Sequence, residues 1–97
     1  MQNDRFEWDD EKARKNLVKH GVSFEEASLV FDDPNFVVEP DDSSSYEERW
    51  RTMGLALGRL LFVVSTERNG NVIRIISART ASRHEEDRYY RQAFPEG

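Results

Sequence analysis

The sequence predicts an α+β fold with a pair of N-terminal helices, a small antiparallel β-sheet of three to five strands and a C-terminal helix. Helix-capping signals occur near both ends of the chain, whereas apolar residues follow a period of two from Tyr46 to about Ala78. An Asn69-Gly70 pair, which is typical of a hairpin turn, separates two runs rich in β-branched residues. Because 97 residues are enough for one modest core, we expect a single domain over residues 1–97.

The first helix is predicted from its two ends. Asp9 and Asp10 are suited to its N-terminus, where a carboxylate caps free N–H groups and interacts well with the helix dipole. Gly21 can end the helix in the left-handed conformation, just after His20. The predicted apolar stripe of this helix consists of Ala13, Leu17 and His20, with Asn16 one turn before His20.

Two further helices are predicted from capping boxes. Ser23 with Glu26, and Ser82 with Glu85, have the spacing at which two side chains cap the same helix start. The second helix stops at the Asp-Asp-Pro sequence that follows it, and the last helix runs to about Gln92. The predicted core stripe of the second helix is Phe24, Ala27, Val30 and Phe31.

The strands are predicted from alternation and from β-branched residues. They cover about 36–39, 47–56, 60–67 and 72–78, and residues 6–8 are a short extended candidate. If the hairpin turn has two residues, Val64 pairs with Ile75 and Phe62 with Ser77, and Arg79 ends its strand on the same side as Phe62. The expected core face holds Phe62, Val64, Ile73 and Ile75.

The composition excludes several kinds of site. There is no cysteine, so disulfides, Cys-type zinc sites and thiol catalysis are excluded, and two histidines, His20 and His84, are too few for a histidine cluster. The longest uninterrupted apolar run, residues 60–64, is far shorter than the roughly 20 residues that span a bilayer. We expect a cytoplasmic protein without membrane contact.

Charge is distributed unequally along the chain. Residues 1–48 carry 5 basic and 14 acidic side chains, a net charge of −9, whereas residues 49–97 carry 9 basic and 5 acidic ones, a net charge of +4. Every basic residue of the second half is arginine, whose planar fork binds phosphate or carboxylate through two hydrogen bonds. The second half is therefore suited to an oxyanion or to an acidic partner.

No short catalytic signature of high specificity occurs, so chemistry has to be assigned to individual side chains. His20 is of the residue type best suited to proton transfer near neutral pH, although a histidine that caps the helix is the alternative. Lys19 is a phosphate ligand or a solvated charge at the helix end. Tyr89 packs the last helix onto the sheet, or it stacks on a base or donates a proton.

The arginines of the predicted strands offer the same choice between function and structure. Arg49 and Arg51 lie two apart and can reach one oxyanion together, unless both form cross-strand ion pairs. Glu48 points to the other side unless a bulge or a strand end intervenes. Arg79 precedes a helix start, where a guanidinium and backbone donors can hold a phosphate, and the alternative is an ion pair with an acidic residue of the first half.

An ordered set of short motifs resembles the BrnT family of toxins over roughly residues 5–90. In the first half they are Phe6-Glu7-Trp8-Asp9, Lys12-Ala13, Asn16, Lys19-His20-Gly21, Ser23-Phe24-Glu25-Glu26-Ala27 and Phe31-Asp32-Asp33-Pro34. In the second half they are Glu48-Arg49, Gly54, Arg74-Ile75-Ile76-Ser77-Ala78-Arg79, Ala81, Glu85 and Tyr89.

The resemblance implies a RelE-like, barnase-like ribonuclease toxin of a bacterial type II toxin–antitoxin pair. Such an enzyme works without a metal or other cofactor, acts on RNA that is free or ribosome-associated, and inhibits translation. Its partner is a BrnA-type antitoxin with a ribbon-helix-helix domain, through which it reaches operator DNA indirectly. We expect an acidic segment of the antitoxin to cover the arginine-rich surface.

The implied chemistry is attack of an RNA 2′-hydroxyl on the adjacent phosphorus, for which the protein supplies a base, an acid and cations. The resemblance assigns Arg49 and Arg79 to the phosphate and His20 or Glu48 to proton transfer. Supporting RNA contacts are expected from Lys19, Arg51, Arg74 and Tyr89.

One departure from the family pattern supports a second hypothesis. Glu86 and Asp87 follow Glu85, at positions where related toxins tend to be basic, and their charge repels RNA. The alternative function is a catalytically inactive module of the same fold that binds the antitoxin and acts as a co-repressor.

Overall fold

The computed structural model describes residues 3–42, 47–68 and 70–95. Within these ranges the chain forms three α-helices, one 3₁₀ turn and one five-stranded sheet. The helices are α1 (Asp10–His20), α2 (Phe24–Ser28) and α3 (Arg83–Ala93), and the 3₁₀ turn is Leu29–Asp32. The strands are β1 (Phe6–Glu7), β2 (Val37–Asp41), β3 (Arg49–Ala56), β4 (Arg59–Arg68) and β5 (Val72–Thr80). The predicted α+β class is confirmed.

The sheet is mixed, whereas the sequence predicted an antiparallel one. Its strand order is β1-β5-β4-β3-β2, in which β1 runs parallel to β5 and every other neighbouring pair is antiparallel. The parallel pair is short, since only Phe6 and Glu7 lie beside Ile73 and Arg74. A parallel neighbour requires a crossover, and α1 and α2 together with β2–β4 provide the chain between β1 and β5.

The predicted helix ends are confirmed where a local signal specifies them. The Asp9 side chain accepts a hydrogen bond from the Glu11 N–H, and Gly21 ends α1 at φ 69°. The capping box at α3 is complete, because Ser82 accepts from the Glu85 N–H and Glu85 accepts from the Ser82 N–H. Helices α1 and α3 therefore begin where capping chemistry places them.

The second helix is shorter than predicted. The Ser23 hydroxyl caps it through the Glu26 N–H at 3.0 Å, but the Glu26 carboxylate binds Arg59 on the neighbouring strand instead of completing the box. After Ser28 the chain tightens into the 3₁₀ turn, which carries Val30 into the core. Gly54 of β3 lies directly against this turn. A Cβ atom added at Gly54 would lie 2.8 Å from the Val30 carbonyl oxygen.

The predicted register between β4 and β5 is wrong by one residue near the turn, and by two residues on the far side of Val64 from the turn. Arg68 lies beside Val72, so the loop has three residues rather than two; Asn69 of the predicted turn falls outside the described residues. The pairing also shifts between Val64 and Ser65, leaving one extra residue in β5. As a result Phe62 lies beside Arg79, not beside Ser77.

Each side of the sheet has its own core. Helices α1 and α2 cover one side, where the larger cluster includes Phe24, Val30, Leu61, Val63 and Ile75. Helix α3 covers part of the other side, where Met53, Leu60, Phe62 and Tyr89 are buried together. The prediction that Phe62, Val64, Ile73 and Ile75 share a face is wrong, because the three-residue loop shifts the pairing by one and turns the two isoleucines to the opposite side.

The inward-facing residue of α1 is polar. Leu17 was predicted in the core stripe, yet it is 50% exposed, whereas Asn16 is buried. The Asn16 side chain donates to the carbonyl oxygens of Ala78 and Val22 and accepts from the Ala78 N–H. Asn16 therefore takes the place of a neighbouring strand at the stretch of β5 that lies beyond β1.

Among the described residues, no helix is long and apolar enough to cross a membrane.

Candidate functional site

The side of the sheet that carries α3 also carries the predicted arginines. Side chains alternate along a strand, so Arg49 and Arg51 share the side on which Met53 packs against α3. Met53 is paired with Phe62 on the next strand, and Phe62 is paired with Arg79, so these three side chains lie on the same side of the sheet. We call the part of this side that is not covered by α3 the arginine face; it contains Arg49, Arg51, Arg74 and Arg79 from the sheet and Arg88 from α3.

Two guanidinium groups of the arginine face hold one carboxylate. Arg51 approaches one oxygen of Glu39 at 3.1 Å, and Arg88 donates to the other oxygen at 2.5 Å. The hydrogen bond from Arg88, together with the charges of Arg88 and Arg51, lowers the pKa of Glu39 despite its burial. Residues from β2, β3 and α3 thus converge on one oxyanion.

A second pair lies next to the first. Arg79 donates two hydrogen bonds to Glu85, at 2.8 and 2.9 Å, and its guanidinium lies 4.1 Å from the centre of the Phe62 ring. The bond from Arg79 lowers the pKa of Glu85 to about 2, and the Ser82 N–H contributes to this shift. The charge of Glu85 is near enough to act on Glu39. We call these five residues, Arg51, Arg79, Arg88, Glu39 and Glu85, the arginine–carboxylate cluster.

The other two arginines of the face also bind carboxylates. Arg49 donates two hydrogen bonds to Glu47, at 3.0 and 2.9 Å. Arg74 donates to Glu7, its neighbour on β1, at 2.7 Å. The cross-strand ion pair that was the alternative for Arg49 and Arg51 is therefore found for Arg51 with Glu39, whereas Arg49 pairs with a residue two positions before it in the chain.

Arg49 and Arg79 do not meet at one anion. They lie four residues apart along the strands and two strands apart across the sheet, which puts their Cα atoms roughly 16 Å from each other. The pair that the structure brings together is Arg51 with Arg88, and Arg88 was absent from the predicted site. Its signal in the sequence was weak, because Glu85 and Arg88 at i, i+3 on a helix are an ordinary surface pattern.

Tyr89 lies in the second core rather than at the surface. It has no exposed area, and its hydroxyl donates to the buried carboxylate of Asp33. This contact corresponds to the packing alternative, and a direct contact between Tyr89 and RNA is incompatible with this burial.

The end of α1 lies beside the end of β5. Glu7 of β1 lies beside Arg74, and Asn16 of α1 bonds Ala78, so the chain advances along β5 as it passes from β1 through α1. Four residues of helix carry His20 about 6 Å beyond Asn16. The end of α1 therefore lies along the edge of β5 toward Thr80, on the side of the sheet opposite to the arginine face.

The exposure of the two residues at this helix end differs. His20 is half-buried, whereas Lys19 is exposed. Both are in the last turn of α1, where the helix dipole favours a positive charge.

Glu48 lies far from this position. It is exposed just before β3 begins, on the side of the sheet opposite to Arg49, and its carbonyl oxygen accepts a hydrogen bond from the Thr66 hydroxyl at 2.6 Å. By the strand register, Glu48 is roughly 20 Å from Arg79. The Arg79 side chain lies on the side of the sheet opposite to α1, and within the described residues neither His20 nor Glu48 forms a hydrogen bond or ion pair with it.

The chemistry of the arginine face is that of an oxyanion site. Three guanidinium groups surround two carboxylates, and a phosphate can replace a carboxylate because both accept paired hydrogen bonds from arginine. In the described ranges no three His, Asp or Glu side chains are grouped so as to hold a metal ion.

Comparison with known proteins identifies the family. Residues 8–85 match the family described as "Ribonuclease toxin, BrnT, of type II toxin-antitoxin system". The fold resembles the crystal structure of the Brucella abortus ribonuclease toxin BrnT, with a TM-score of 0.65 and 23% identity over 81% of this chain and 97% of that one. No curated protein matches the sequence. Because the family match covers most of the chain, this protein belongs to the BrnT family of ribonuclease toxins of type II toxin–antitoxin systems.

Proposed function

We propose that this protein cleaves RNA without a metal ion and that the arginine–carboxylate cluster holds the phosphate at which cleavage occurs. The observation that carries the proposal is the carboxylate of Glu39 held between the guanidinium groups of Arg51 and Arg88. The carboxylate stands where a phosphate has the same requirements for charge and for hydrogen bonds. When RNA binds, the guanidinium groups release the carboxylates of Glu39 and Glu85 and bind phosphate oxygens instead.

Arg79 completes this site. Its guanidinium is held flat by the Phe62 ring and by two bonds to Glu85, so little further ordering is needed when a phosphate binds. Arg49 and Arg74 lie farther along the same face, and we assign them to neighbouring phosphates of the RNA strand. Lys19 supplies a further positive charge at the end of α1.

In the reaction, the 2′-oxygen of the ribose attacks phosphorus and the bond to the 5′-oxygen breaks. The products are a 2′,3′-cyclic phosphate and a 5′-hydroxyl, so one proton leaves the 2′-hydroxyl and one reaches the leaving oxygen. We assign proton transfer to His20 rather than Glu48, because Glu48 is roughly 20 Å from Arg79, whereas the end of α1 lies along β5, the strand that carries Arg79. The guanidinium groups stabilise the charge that develops on the phosphorane.

The partner that follows from the family is a protein antitoxin, and we propose a BrnA-type antitoxin with a ribbon-helix-helix domain. In this arrangement the antitoxin neutralises the nuclease and connects it to operator DNA. The free nuclease arrests growth by cutting RNA that is needed for translation.

The test is cleavage of a single-stranded RNA by the purified chain in EDTA. We expect products with 5′-hydroxyl ends, and no cleavage where a 2′-deoxynucleotide replaces the nucleotide that attacks. Arg79→Ala and Arg88→Ala are expected to lower the rate at least 100-fold. Arg14→Ala is the matched control, since Arg14 is also in an ion pair but lies on α1 away from the arginine face. Equal rates in all three variants would remove the arginine–carboxylate cluster from the mechanism.

One observation favours the second function, the inactive co-repressor. Each of the four arginines predicted from the strands, Arg49, Arg51, Arg74 and Arg79, is bound to a carboxylate of the same chain. These pairs neutralise the face that RNA would need. Expression of the chain without its antitoxin separates the two functions, because the nuclease arrests growth whereas the co-repressor binds the antitoxin without any effect on growth.

A further inference from the structure

An apolar groove lies on the other side of the sheet from the arginine face. Its volume is about 320 Å³, and its apolar lining consists of Phe31, Phe36, Val38, Trp50 and Ile73. Phe36 and Val38 are 43% and 50% exposed, so the groove is open to solvent along β2. Neither α1 nor α2 extends over this part of the sheet.

A buried hydroxyl in the groove lacks a hydrogen bond. Thr52 lines the groove and has no exposed area, and its Oγ1 has no hydrogen-bond partner among the described residues. A buried polar atom without a partner is costly, and most such atoms in proteins are satisfied. The Thr52 hydroxyl can therefore bond a ligand in the groove once the side chains that cover it move aside.

The mouth of the groove is acidic. Glu67 belongs both to the groove and to an adjoining pocket of about 250 Å³ that also contains Glu47 and Glu48. Arg68 lines that pocket too, but it forms an ion pair with Glu47. Within the described part of the chain, neither Glu48 nor Glu67 forms an ion pair. The aromatic ring of Trp50 lines both cavities, and an aromatic ring next to carboxylates is suited to the stem and head of a lysine or arginine. The same carboxylates repel RNA.

We propose that this groove is a docking site for a protein segment that carries apolar side chains and one basic side chain, and that the segment belongs to the antitoxin. The apolar side chains fill the space between β2 and Trp50, and the basic side chain reaches Glu48 and Glu67. A backbone or side-chain group of the segment bonds the Thr52 hydroxyl. This inference depends on the proposed function only in taking the antitoxin as the partner. It gives the antitoxin a second contact, separate from the acidic segment that we expect to cover the arginine face.

The experiment measures the dissociation constant of the complex between this chain and the purified antitoxin encoded with it, by calorimetry. Val38→Asp places a charge in the groove, and Glu67→Lys reverses the charge at its mouth. Each is expected to weaken binding at least 30-fold. Val18→Asp on α1 is the matched control, since Val18 is 79% exposed and lies outside the groove, and it is expected to bind as the wild type does.

Thr52→Val is expected to raise the stability of the free chain and to lower its affinity for the antitoxin. The variant keeps the shape of the side chain and removes the unpartnered hydroxyl, so the free chain is expected to melt at a higher temperature. Binding of the antitoxin is expected to weaken about tenfold because the hydroxyl no longer bonds the segment. A rise in melting temperature with unchanged binding would show that no partner uses the hydroxyl and would overturn this part of the proposal.

Binding and cleavage of RNA are measured on the same variants. Because the groove and the arginine face are on opposite sides of the sheet, RNA cleavage by free Val38→Asp is expected to equal that of the wild type. Wild-type affinity of Val38→Asp and Glu67→Lys for the antitoxin overturns the groove proposal while leaving the nuclease in place. Loss of antitoxin binding in a chain that cleaves no RNA supports the groove and overturns the nuclease. Loss of RNA binding in the groove variants assigns the groove to RNA and overturns the proposal.

Discussion

The hydroxyl of Tyr89 donates a hydrogen bond to the carboxylate of Asp33, which joins α3 to the end of the 3₁₀ turn across 56 positions of the chain. Burial raises the pKa of Asp33, but bonds from the Tyr89 hydroxyl and from the N–H groups of Leu55 and Asn35 outweigh it, so the pKa is below its usual value. Burial and the neighbouring Asp33 raise the pKa of Tyr89. The ionised carboxylate and the protonated phenol are thus held together at neutral pH.

Tyr89→Phe is expected to lower the free energy of unfolding by about 2 kcal/mol, because it removes one hydrogen bond to a buried charge. Tyr90→Phe on the exposed side of the same helix is the control and is expected to change it by less than about 0.5 kcal/mol. Urea denaturation measures both. RNA cleavage per folded molecule is expected to stay unchanged in Tyr89→Phe, whereas a large loss of cleavage in a fully folded variant would assign Tyr89 to the reaction.

Glu85→Gln is expected to make stability less dependent on pH. The pKa of Glu85 falls on folding from its usual 4.5 to about 2, so its carboxylate stabilises the fold above pH 4.5 and this stabilisation is lost as the pH falls through about 2. The shift corresponds to at most roughly 3 kcal/mol. Solvent around the 39% exposed Arg79 side chain reduces it to about 1–2 kcal/mol. Since glutamine can still cap α3, denaturation at pH 7 and pH 2 isolates the charge; an equal difference at both values would contradict the assignment.

Gly54→Ala is expected to destabilise the fold by about 2 kcal/mol or more. The added Cβ lies 2.8 Å from the Val30 carbonyl oxygen and 3.0 Å from its Cβ, and both belong to a packed core in which the turn has little room to move. Gly70→Asn is the control, because that glycine lies in an open turn at φ 81°, which asparagine tolerates. Thermal unfolding measures both variants, and equal melting temperatures would show that the turn moves away freely.

Asn16→Asp is expected to cost about 3 kcal/mol at pH 7, since it removes two donated hydrogen bonds and places a carboxylate against the carbonyl oxygens of Val22 and Ala78. Such an environment raises the pKa of the new carboxyl in the folded state. The cost is therefore expected to shrink as the pH is lowered toward 4, where a protonated carboxyl can donate one bond again. Asn71→Asp at an exposed position is the control. A cost that is the same at pH 7 and pH 4.5 in urea denaturation would contradict this account of Asn16.

Arg88→Ala is expected to reduce the salt dependence of RNA binding. Loss of one phosphate contact lowers the slope of log affinity against log salt by about 0.7 for a single strand. Arg91→Ala, an exposed arginine on the same helix but outside the arginine–carboxylate cluster, is expected to leave the slope unchanged. The measurement uses an RNA with 2′-O-methyl groups, which binds without being cleaved. Equal slopes for both variants would place the phosphate away from Arg88.

Local elements were predictable from the sequence because their causes lie within a few residues. Gly21 ends α1, and the Ser82–Glu85 capping box starts α3, as the sequence predicts. The hairpin between β4 and β5 is also present, but its register was wrong, because a three-residue loop and one extra residue in β5 leave no clear signal in the alternation. The exposed Leu17 and the buried Asn16 reverse the apparent polarity of α1 for a similar reason, since the edge of β5 needs a hydrogen-bonding neighbour there.

The sequence by itself determined the class of fold, the ends of α1 and α3, the excess of arginine in the second half and the family. Capping, turn formation and charge excess are properties of short segments, and a family is recognised from the order of such segments. Only the tertiary structure decided which arginines lie together. Arg88 and Glu39 are 49 positions apart in the chain. They meet because α3 packs across the sheet, where Tyr89 of α3 bonds Asp33. Long-range packing sets that distance, and short-range pattern carries no information about it.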